Sequence, residues 1–491
     1  MNPFLSKSQF LRGLQCRRSL WLYRNRPELR TPPDEAQQAI FETGTDVGIL
    51  ARELFPGGTA LEYEGSTFEE KIARTKELIA SGVDTIYEAT FSYDDVLVMV
   101  DILHYGTRGW EFYEVKSSTE VKEVHISDVA IQYYVLKGSG LPVSKASLVH
   151  INNRYIRRGD LDIKGLFIAE ELTSAVEEQQ VAVKHDLTGL QTMINGECPV
   201  IDIGAHCTAP YECDFTAHCW AHVPKPSIFD IARLNSNKKF ELYYKGVRSF
   251  KDIPDDFPLN PGQRMQVEAE LSGKEFIDAE GIGAFLDTLS YPLYFLDFET
   301  FQSAVPLYDG TKPYGQIPFQ YSLHAMDREG AEARHCEFLA EAGTDPREDL
   351  VKRLIADIPT DVCVLAYNRG FEKGVIKRLA EEFPAFAHKL MSIHDNILDL
   401  MAPFRGKYYY VRAMQGSYSI KYVLPALLPG QSYDGMAICN GGEAMKAFAK
   451  LHLVKDEAEK AKTRKALLEY CKLDTLAMVL LFEKLREVIK G

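Results

Sequence analysis

The chain has 491 residues, of which 46% are hydrophobic and 26% are charged, and its formal net charge is −14. This composition is typical of a globular protein of about three domains, and it excludes a chain that is disordered over most of its length. The negative charge argues against a surface coated throughout with nucleic-acid-binding cations, although a local basic patch is compatible with it.

Membrane and secreted proteins are the next classes to exclude. Apolar runs such as residues 96–100 are far shorter than the ~18 residues of a membrane helix. The first residues lack the continuous apolar stretch of a signal peptide. The nine cysteines are an odd number, which argues against a disulfide framework. We therefore expect a cytoplasmic protein without a membrane partner.

Helical and strand-like patterns alternate along the first half of the chain. The patterns predict helices over 69–81 and 168–191, a helix through Gln132 that ends near 138–140, and strands over 86–91, 96–103, 110–118 and 146–151. A cysteine-rich loop follows over 198–219. Residues 1–30 carry seven Lys or Arg against one Glu, which fits either a nucleic-acid contact or a solvated basic helix face.

Five prolines between 223 and 262 mark the best domain boundary. After it, the patterns predict strands over 291–300, 318–326 and 362–367, a helix over 349–356 and a long helix over 457–489. We therefore predict an α/β fold class with a domain over 1–225, a linker or small connecting subdomain over 226–285 and a domain over 286–491.

Two carboxylates stand on the first strand of the C-terminal domain. Asp297 and Glu299 are two residues apart, so both side chains point to the same face of an otherwise apolar strand. Burying two like charges is costly unless a cation shares them, and a divalent metal ion is the usual solution. An acidic strand end at a solvent edge is the alternative.

Two later segments add to this pair. Glu372 lies in the first turn of a helix that follows a strand, close to Asn368 and Phe371, and Tyr470 and Asp474 share one face of the last helix. The ordered set resembles the DEDDy subclass of DnaQ-like 3′–5′ exonucleases, which have a ribonuclease-H-like fold. The resemblance implies that Asp297, Glu299, Glu372 and Asp474 hold two Mg²⁺ or Mn²⁺ ions and that Tyr470 orients the attacking water.

The segment with Asn368, Phe371 and Glu372 is the second motif of this set. It departs from that family in one position, because Glu372 stands where the family usually has Asp. Glutamate keeps the charge and adds one methylene. Asp395 and Asp399 are the alternatives if the motif is misaligned. Lys421 could meet a phosphate, but a surface lysine is the simpler interpretation.

The N-terminal half carries its own acidic pattern. Asp101 follows an apolar strand, and Glu114 and Lys116 share a face of the next strand. Asp-…-Glu-x-Lys resembles the PD-(D/E)XK nucleases, especially the RecB-type branch. The resemblance implies that Asp101, Glu114 and, on the preceding strand, Glu88 bind metal, with Lys116 catalytic. The early histidine of that branch is missing, because the nearest candidate motif ends in Gly48.

Three cysteines recur at equal intervals after this domain. Cys207, Cys213 and Cys219 have the spacing C-x5-C-x5-C, and Cys16 lies far upstream. This arrangement resembles the iron–sulfur members of the RecB-type branch and implies that the four thiolates hold a 4Fe–4S cluster. One alternative is zinc, with Cys16 or His222 as the fourth ligand, although structural zinc prefers shorter gaps. Cys198 is a substitute ligand, and buried free thiols are the other alternative. The other cysteines, Cys336, Cys363, Cys439 and Cys471, are expected in the core.

The whole order, an iron–sulfur RecB-like front and a DnaQ-like back, resembles a bacterial family of fused nuclease domains. It implies a metal-dependent nuclease that acts on DNA ends or single-stranded DNA. Two alternatives remain: a nucleic-acid-binding scaffold whose N-terminal nuclease fold is degenerate, and an RNA exonuclease, because nothing in the sequence reads a 2′-hydroxyl group.

Overall fold

The computed structural model describes residues 4–61 and 65–490. The chain divides into two compact units, the first formed by Met1–His222 with Ser303–Tyr314 and the second by Val223–Gln302 with Gly315–Gly491. Each unit combines helices with a mixed β-sheet, which confirms the α/β class. The predicted connecting segment 226–285 belongs to the second unit.

The first unit contains seven strands and nine helices within its described residues. The strands are β1 (Leu5–Ser6), β2 (Thr59–Ala60), β3 (Thr85–Tyr93), β4 (Val96–Gly106), β5 (Gly109–Lys116), β6 (Val143–Ile151) and β7 (Phe167–Glu171). The helices are α1 (Lys7–Gln15), α2 (Arg17–Asn25), α3 (Glu35–Ala51), α4 (Phe68–Ala80), α5 (Glu123–Gly138), α6 (Ile163–Leu166), α7 (Thr173–Glu178), α8 (Gln180–Ile194) and α9 (Thr216–Cys219).

The sheet of this unit has the order β2-β3-β4-β5-β6-β7, and β1 pairs with β4. Strands β3, β4 and β5 run antiparallel, whereas β5 and β6 are parallel and are joined by α5. Helix α5 buries Val129, Ile131 and Leu136 in the same apolar core as Val98 and Val100 of β4. The sheet therefore brings the ends of β4 and β5 beside the polar positions of α5.

One predicted element is wrong. The expected helix over 168–191 begins with strand β7, which pairs antiparallel with β6 from Ser147–Glu171 to Ile151–Phe167, and only then continues as α7 and α8. Three of the five β7 residues are charged or small and exposed, so β7 is a polar edge strand. Such a strand lacks the alternation that marks a half-buried strand, and so the helical periodicity of 173–191 extended over it.

The second unit also contains seven strands, with ten helices. The strands are β8 (Phe276–Ile277), β9 (Leu293–Phe301), β10 (Ile317–Met326), β11 (Arg334–Leu339), β12 (Cys363–Ala366), β13 (Ile397–Asp399) and β14 (Tyr409–Tyr410). The helices are α10 (Ser236–Tyr244), α11 (Pro261–Ser272), α12 (Ala279–Leu286), α13 (Arg347–Asp357), α14 (Gly370–Glu382), α15 (Ala387–Asp395), α16 (Ala402–Arg405), α17 (Ile420–Leu427), α18 (Gly441–Leu451) and α19 (Glu457–Lys490). These counts refer to the described part of the unit.

Strand β9 lies at the centre of a five-stranded sheet of order β11-β10-β9-β12-β13. It runs antiparallel to β10 and parallel to β12. Tyr294, Leu296 and Phe298 face one side of the sheet, where they share an apolar core with α13, α14 and α15. Phe295 faces the other side and contacts Phe482 of α19, with ring centroids 5.8 Å apart.

Helix α19 is fixed on β10 by buried hydrogen bonds. The Gln320 amide donates to the carbonyl of Leu467 at 2.9 Å, and Thr475 lies within hydrogen-bond distance of Ser322 and His324, at 2.7 and 2.8 Å. The α19 face that carries Asp474 is therefore held against the sheet face that carries Asp297 and Glu299. Among the described residues, every helix is too short or too polar to span a lipid bilayer.

Candidate functional sites

Three carboxylates of the second unit converge. The ligand oxygens of Asp297, Glu299 and Asp474 all lie within 4.8 Å of one another. The two-residue period of β9 points the first two to the face that α19 covers, and α19 supplies the third. Within the described residues this is the one group of three or more His, Cys, Asp or Glu whose ligand atoms come together in this way.

Burial and mutual repulsion shape the protonation of these acids. Burial raises the pKa of Glu299 to about 8, and the charge of Asp474 adds to the effect. The pKa of Asp297 is raised well above its usual value by burial and then by Asp474 and Glu299. Burial raises the pKa of Asp474 to about 6, although Tyr433, Lys421 and Tyr470 favour its ionised form. A cation bound next to these three carboxyl groups would therefore stabilise their ionised forms.

Glu372 lies in the first turn of α14 and is 2% exposed. Its Oε2 atom is buried and has no hydrogen-bond partner. Burial raises the pKa of Glu372 to about 8, and the charges of Asp399, Glu299 and Asp474 contribute. Glu372 is outside the converging group of three, but it is close enough to raise the pKa of Asp297. A buried carboxylate oxygen without a hydrogen-bond partner is uncommon in a folded protein and calls for an explanation.

The alternative acids of the second motif have other partners. Asp399 Oδ1 accepts hydrogen bonds from the backbone N–H groups of Asn368 and Met401, both at 3.1 Å, and Oδ2 pairs with Arg405 at 3.1 Å. Asp395 is exposed and lies 2.8 Å from His394. Glu372 is thus the acid of this region that keeps a free oxygen next to the converging group.

Two tyrosines contact Asp474. Tyr470, one turn before it on α19, forms a hydrogen bond with its carboxylate. Tyr433 donates its hydroxyl hydrogen to Asp474 Oδ1 at 2.7 Å, and this residue was missed by the sequence analysis. Tyr433 lies in a loop of turn-forming residues, so no periodicity in the sequence indicated that it would be buried at 6% exposure.

Two more residues of the site were assigned differently from the sequence. Lys421 is half-buried rather than a surface lysine; its Nζ donates to the carbonyl of Cys439 at 2.9 Å, and it lies 5.4 Å from the ring centroids of both tyrosines. Its charge favours ionised Glu299 and Asp474. Cys471, expected only as a core residue, is buried with its Sγ 3.6 Å from Asp297 Oδ2.

A cleft of about 700 Å³ opens onto this acidic group. Asp297 and Asp474 line it together with Tyr367 and Asn368, and residues 415–420 form a further part of its wall. The 223–285 segment, which was the least informative part of the sequence, also contributes to the wall through Asp230, Ala232 and Arg233. The volume is within the range of small-molecule and nucleotide sites.

The predicted N-terminal site residues also come together, but as a network of opposite charges. Glu114 is 2% exposed, and both its oxygens accept from Lys7 Nζ at 2.7 Å. Lys116 donates to Glu114 Oε1 and to Asp128 Oδ2, each at 2.6 Å. Gln132 donates to Glu114 Oε2 at 2.8 Å and to Asp128 Oδ1 at 3.1 Å. The carboxylate at the centre is therefore fully paired by protein cations.

The other two acids lie beside this network. Asp101 Oδ2 accepts from the backbone N–H of Val115 at 2.7 Å, and burial and then Glu114 raise the pKa of Asp101 to about 7. Glu88 pairs with Arg52 at 3.1 Å. Burial raises the pKa of Glu88, although Arg52 opposes the shift. Within the described residues, Glu88, Asp101 and Glu114 do not form a group with converging ligand atoms.

Lys7 is the residue of this site that the sequence analysis missed. It was counted only as one cation of the basic N-terminal stretch, but α1 carries it next to Glu114 and within 3.8 Å of Asp128. Burial alone would raise the pKa of Glu114, yet Lys116 and Lys7 together hold that pKa well below its usual value. Lys7 thus supplies positive charge where the resemblance predicts a metal ion.

The four predicted cysteine ligands line one small cavity. Cys16, Cys207, Cys213 and Cys219 surround it together with Arg18 and His206, whereas Cys198 and His222 do not line it. Burial raises the pKa of both Cys16 and Cys219, and the neighbouring thiols contribute to the shifts. No three of the four sulfurs lie within 4.8 Å of one another. Of the remaining cysteines, Cys363 and Cys471 are buried, and Cys336 and Cys439 are half-buried.

The basic N-terminal residues fasten α1 and α2 to the cysteine loop. Arg12 pairs with Asp214 at 2.6 Å and Arg30 pairs with the same carboxylate at 2.5 Å. Gln15 donates to two backbone carbonyls of the loop, and Arg18 donates to the carbonyl of Ile201 at 2.9 Å. These contacts bring the thiol of Cys16 to the distant cluster of three cysteines.

Two comparisons place the chain among other proteins. Residues 294–419 match a family described as a domain of unknown function (DUF2779). This stretch includes Asp297, Glu299 and Glu372 and ends before Asp474. A Mycoplasma pneumoniae protein described as an uncharacterized MG366 homolog is 28% identical over 204 residues, which cover 38% of this chain and 31% of the relative. The chain therefore spans about a third of the length of the curated relative that it matches.

Proposed function

We propose that the second unit is a metal-dependent 3′–5′ exonuclease that hydrolyses phosphodiester bonds at the end of a single-stranded nucleic acid, with DNA as the first candidate. The observation that carries the proposal is the convergence of Asp297, Glu299 and Asp474 at a cleft that Asp297 and Asp474 line, together with the unpartnered Oε2 atom of Glu372, whose charge reaches Asp297. The central acidic strand of a mixed five-stranded sheet also suits the ribonuclease-H-like fold that the sequence resembles.

The donor set suits two Mg²⁺ or Mn²⁺ ions. All four donors are carboxylates, which hard divalent cations prefer. Two bound metal ions would relieve the repulsion that raises the pKa values of these carboxylates. Asp297, Glu299 and Asp474 would share the ions, and the free oxygen of Glu372 would complete the set. Bound there, the ions would supply a nucleophilic water at neutral pH and stabilise charge on the leaving oxygen.

The protein's own groups hold and orient what enters the cleft. Tyr433 and Tyr470 fix the Asp474 carboxylate from two sides. The phenol of Tyr470 is the group of the predicted set that can hold a water molecule in line with a phosphate. Lys421 donates to the carbonyl of Cys439, and its charge opposes the upward pKa shifts of Glu299 and Asp474. Its positive charge also favours the negative charge that develops during phosphoryl transfer.

A nuclease assay tests the proposal. The substrates are single- and double-stranded DNA and RNA labelled at the 5′ end, with Mg²⁺ or Mn²⁺. The expected product is a ladder that shortens from the 3′ end, absent in the Asp297→Asn variant and retained in Asp101→Ala. Hydrolysis of RNA alone would favour the alternative of an RNA exonuclease. No hydrolysis of any substrate with either metal would contradict the proposal.

For the first unit, the same proposal includes a 4Fe–4S cluster held by Cys16, Cys207, Cys213 and Cys219. Four thiols around one cavity support it, and the five-residue gaps between Cys207, Cys213 and Cys219 are longer than those of most structural zinc sites. The cluster would be structural, joining α2 to the cysteine loop. Anaerobically purified protein should contain about four irons per chain. Stoichiometric zinc in a colourless protein would contradict this.

The first unit has a second candidate function, nucleic-acid binding without hydrolysis. The observation that favours it is the pairing of both Glu114 oxygens with Lys7, which takes the place of a metal ion. In that case the first unit is a binding platform, and every hydrolytic activity of the chain depends on the second unit. Asp101→Ala and Lys116→Ala would then leave hydrolysis of every substrate unchanged.

A further inference from the structure

The cleft of the second unit has an electrostatic problem that the metal ions solve only in part. Its floor is acidic, and two bound ions would neutralise charge at the reacting phosphate alone. The next phosphate along a single strand has to be met by the protein. Among the residues lining the cleft, all of them in the described part of the chain, Arg233 is the single cationic side chain.

The loop that carries Arg233 is held rigidly by helix α11. The backbone N–H of Ala232 donates to Gln266 Oε1 at 2.9 Å, and Gln266 Nε2 donates to the carbonyl of Asp230 at 2.9 Å. Gln263 donates to the carbonyl of Ala232 at 3.2 Å. Both glutamine side chains are buried, with 6% exposure for Gln263 and 3% for Gln266. The backbone just before Arg233 is therefore fixed on both its donor and its acceptor side.

Arg233 itself has a left-handed backbone conformation, with φ of 54°. For a residue with a Cβ atom this conformation is uncommon and costs energy unless the surroundings impose it. Here the buried bonds from α11 to the preceding residues impose it. The side chain of Arg233 lines the cleft.

The side chain of Arg233 contacts a second residue that lines the cleft. The guanidinium carbon of Arg233 lies 4.7 Å from the ring centroid of Tyr418. Stacking on an aromatic face leaves the N–H groups at the edge of a guanidinium available for an oxyanion. Gly416, just before, has a φ of 76°, and Gln266 lies 2.5 Å from where a Cβ atom would be. The two walls are thus packed together through one buried glutamine.

The nearby acid of the same loop, Asp230, uses one carboxylate oxygen to bind Ser227. Asp230 Oδ2 accepts from the backbone N–H and the hydroxyl of Ser227, at 2.7 and 3.0 Å. A guanidinium that stacks on a tyrosine and lines a cleft is suited to bind phosphate oxygens by two parallel hydrogen bonds.

We infer that Arg233 binds a backbone phosphate of the strand whose end reaches Asp297 and Asp474, which makes the 223–302 segment a substrate-binding part of the second unit. The inference rests on the proposed exonuclease function. It adds that the protein contacts the strand through its polyanionic backbone, because the cleft offers the cation of Arg233 next to the aromatic ring of Tyr418.

The experiment compares Arg233→Gln and Arg233→Lys with Arg248→Gln in the full chain. Arg248 is the matched control, because it is exposed, belongs to the same segment and stacks on Tyr243 at 5.6 Å, yet it does not line the cleft. The probe is a short single-stranded oligonucleotide with 2-aminopurine at its 3′ end, titrated in the presence of Ca²⁺. DNA and RNA versions are used, and KM and kcat are measured separately with Mn²⁺.

We expect Arg233→Gln to weaken binding of the 3′ end about tenfold and to raise KM by a similar factor with little change in kcat. The slope of log affinity against log salt should fall by about 0.7, the value for one phosphate on a single strand. Arg233→Lys should recover the salt slope but not the full affinity, and Arg248→Gln should match the wild type.

Two outcomes would overturn the inference in distinguishable ways. If Arg233→Gln binds the 3′ end with wild-type affinity and wild-type salt slope, Arg233 does not contact the strand, and the exonuclease proposal stands without it. If the wild-type protein neither captures nor hydrolyses a 3′ end of DNA or RNA, the exonuclease proposal fails and the role of Arg233 fails with it.

Discussion

At the scale of single residues, Glu372 is the most informative position of the acidic site. Its buried Oε2 lacks a hydrogen-bond partner, so burial of this side chain costs folding free energy unless an ion binds to it. We expect Glu372→Ala to lower exonuclease activity by ~100-fold or more, because it removes a ligand. Glu372→Asp should retain activity or shift the preference between Mg²⁺ and Mn²⁺, because the charge stays while the carboxylate moves back by one methylene. Rates with both metals, on the wild type and the two variants, test this.

Full activity in Glu372→Ala would show that the second motif is misassigned. Asp399→Asn is the matched control, since Asp399 is also a buried acid of the same region but has its own backbone and Arg405 partners. A loss of activity confined to Asp399→Asn would transfer the ligand role to that residue.

The raised pKa values predict how the stability of the metal-free protein depends on pH. Glu299 and Glu372 each have an ordinary pKa of 4.5 that rises to about 8 in the folded chain. The folded state therefore holds more protons than the unfolded state within this window, and the free energy of unfolding must fall as pH rises through it. Thermal unfolding in EDTA should show this decline. Mn²⁺ should reduce it, because a bound ion favours the ionised carboxylates.

The control for this pH series is Asp297→Asn, which removes a further carboxyl group whose own pKa is raised in the folded chain. Its decline with pH should be shallower than that of the wild type in EDTA, and Mn²⁺ should change it little. Identical pH profiles for the wild type with EDTA and with Mn²⁺ would contradict a metal site at the converging carboxylates.

Lys7 allows a direct test of whether the first unit can bind a metal ion. Its Nζ contacts both oxygens of Glu114, so an ion at this carboxylate has to compete with it. We expect Lys7→Met, in an Asp297→Asn background, to gain binding of one Mn²⁺ per chain, measured by calorimetry or electron paramagnetic resonance. Lys7→Arg, which keeps the positive charge, is the control and should not gain it. Binding of the ion when Lys7 is present would show that Lys7 does not exclude metal.

At the scale of elements, Cys16 has two roles that can be separated. It is the N-cap of α2, where its Sγ accepts from the backbone N–H of Ser19 at 3.4 Å, and it is a proposed cluster ligand. Serine caps helices well, whereas alanine at an N-cap costs about 1 kcal/mol. Cys16→Ser should therefore lose iron but keep the cap, and Cys16→Ala should lose both. Iron content and thermal stability of the two variants test this, and equal iron in Cys16→Ser and the wild type would contradict the ligand role.

The elements also show what the sequence could predict about the site. The two-residue period of β9 and the four-residue spacing on α19 fixed which face each acid takes, and the structure brings those faces together. The sequence could not predict the contacts of three site residues, Tyr433, Lys7 and Arg233, and the physical reason is the same for each. Each lies in a loop or at a short helix, where no periodicity tells which way a side chain points, and each meets partners distant along the chain.

Strand β7 marks the same limit for the fold. Its pairing with β6 is decided by backbone hydrogen bonds across the sheet, whereas its own side chains are mostly exposed and polar. Propensity is a weak guide for such an edge strand, because tertiary pairing overrides it. The α/β class and the long helices were within reach because buried faces leave a periodic trace in the sequence.

At the scale of the whole molecule, two separate acidic sites predict separable activities. We expect Asp474→Ala to abolish 3′-end hydrolysis, and the Asp297→Ala/Asp474→Ala double variant to be hardly worse, because members of one catalytic unit are not additive. Asp101→Ala and Lys116→Ala should behave alike and leave that activity intact. Product ladders from these variants test this. Loss of 3′-end hydrolysis in Asp101→Ala would show that the second unit does not act alone.

The path of the chain between the two units limits the use of truncated fragments to study either unit. Residues 303–314 belong to the first unit, although they lie between β9 and β10 of the second. There Ala304 packs in an apolar core with Tyr87 and Tyr113, and Arg157 donates to the carbonyls of Pro306 and Leu307. A fragment that begins at Val223 would therefore carry this segment without its apolar partners, and the complementary fragment would lose part of its own core. Inactivity or aggregation of either fragment would reflect a broken core rather than a missing active site, so full-length point variants are the sound way to assign each activity.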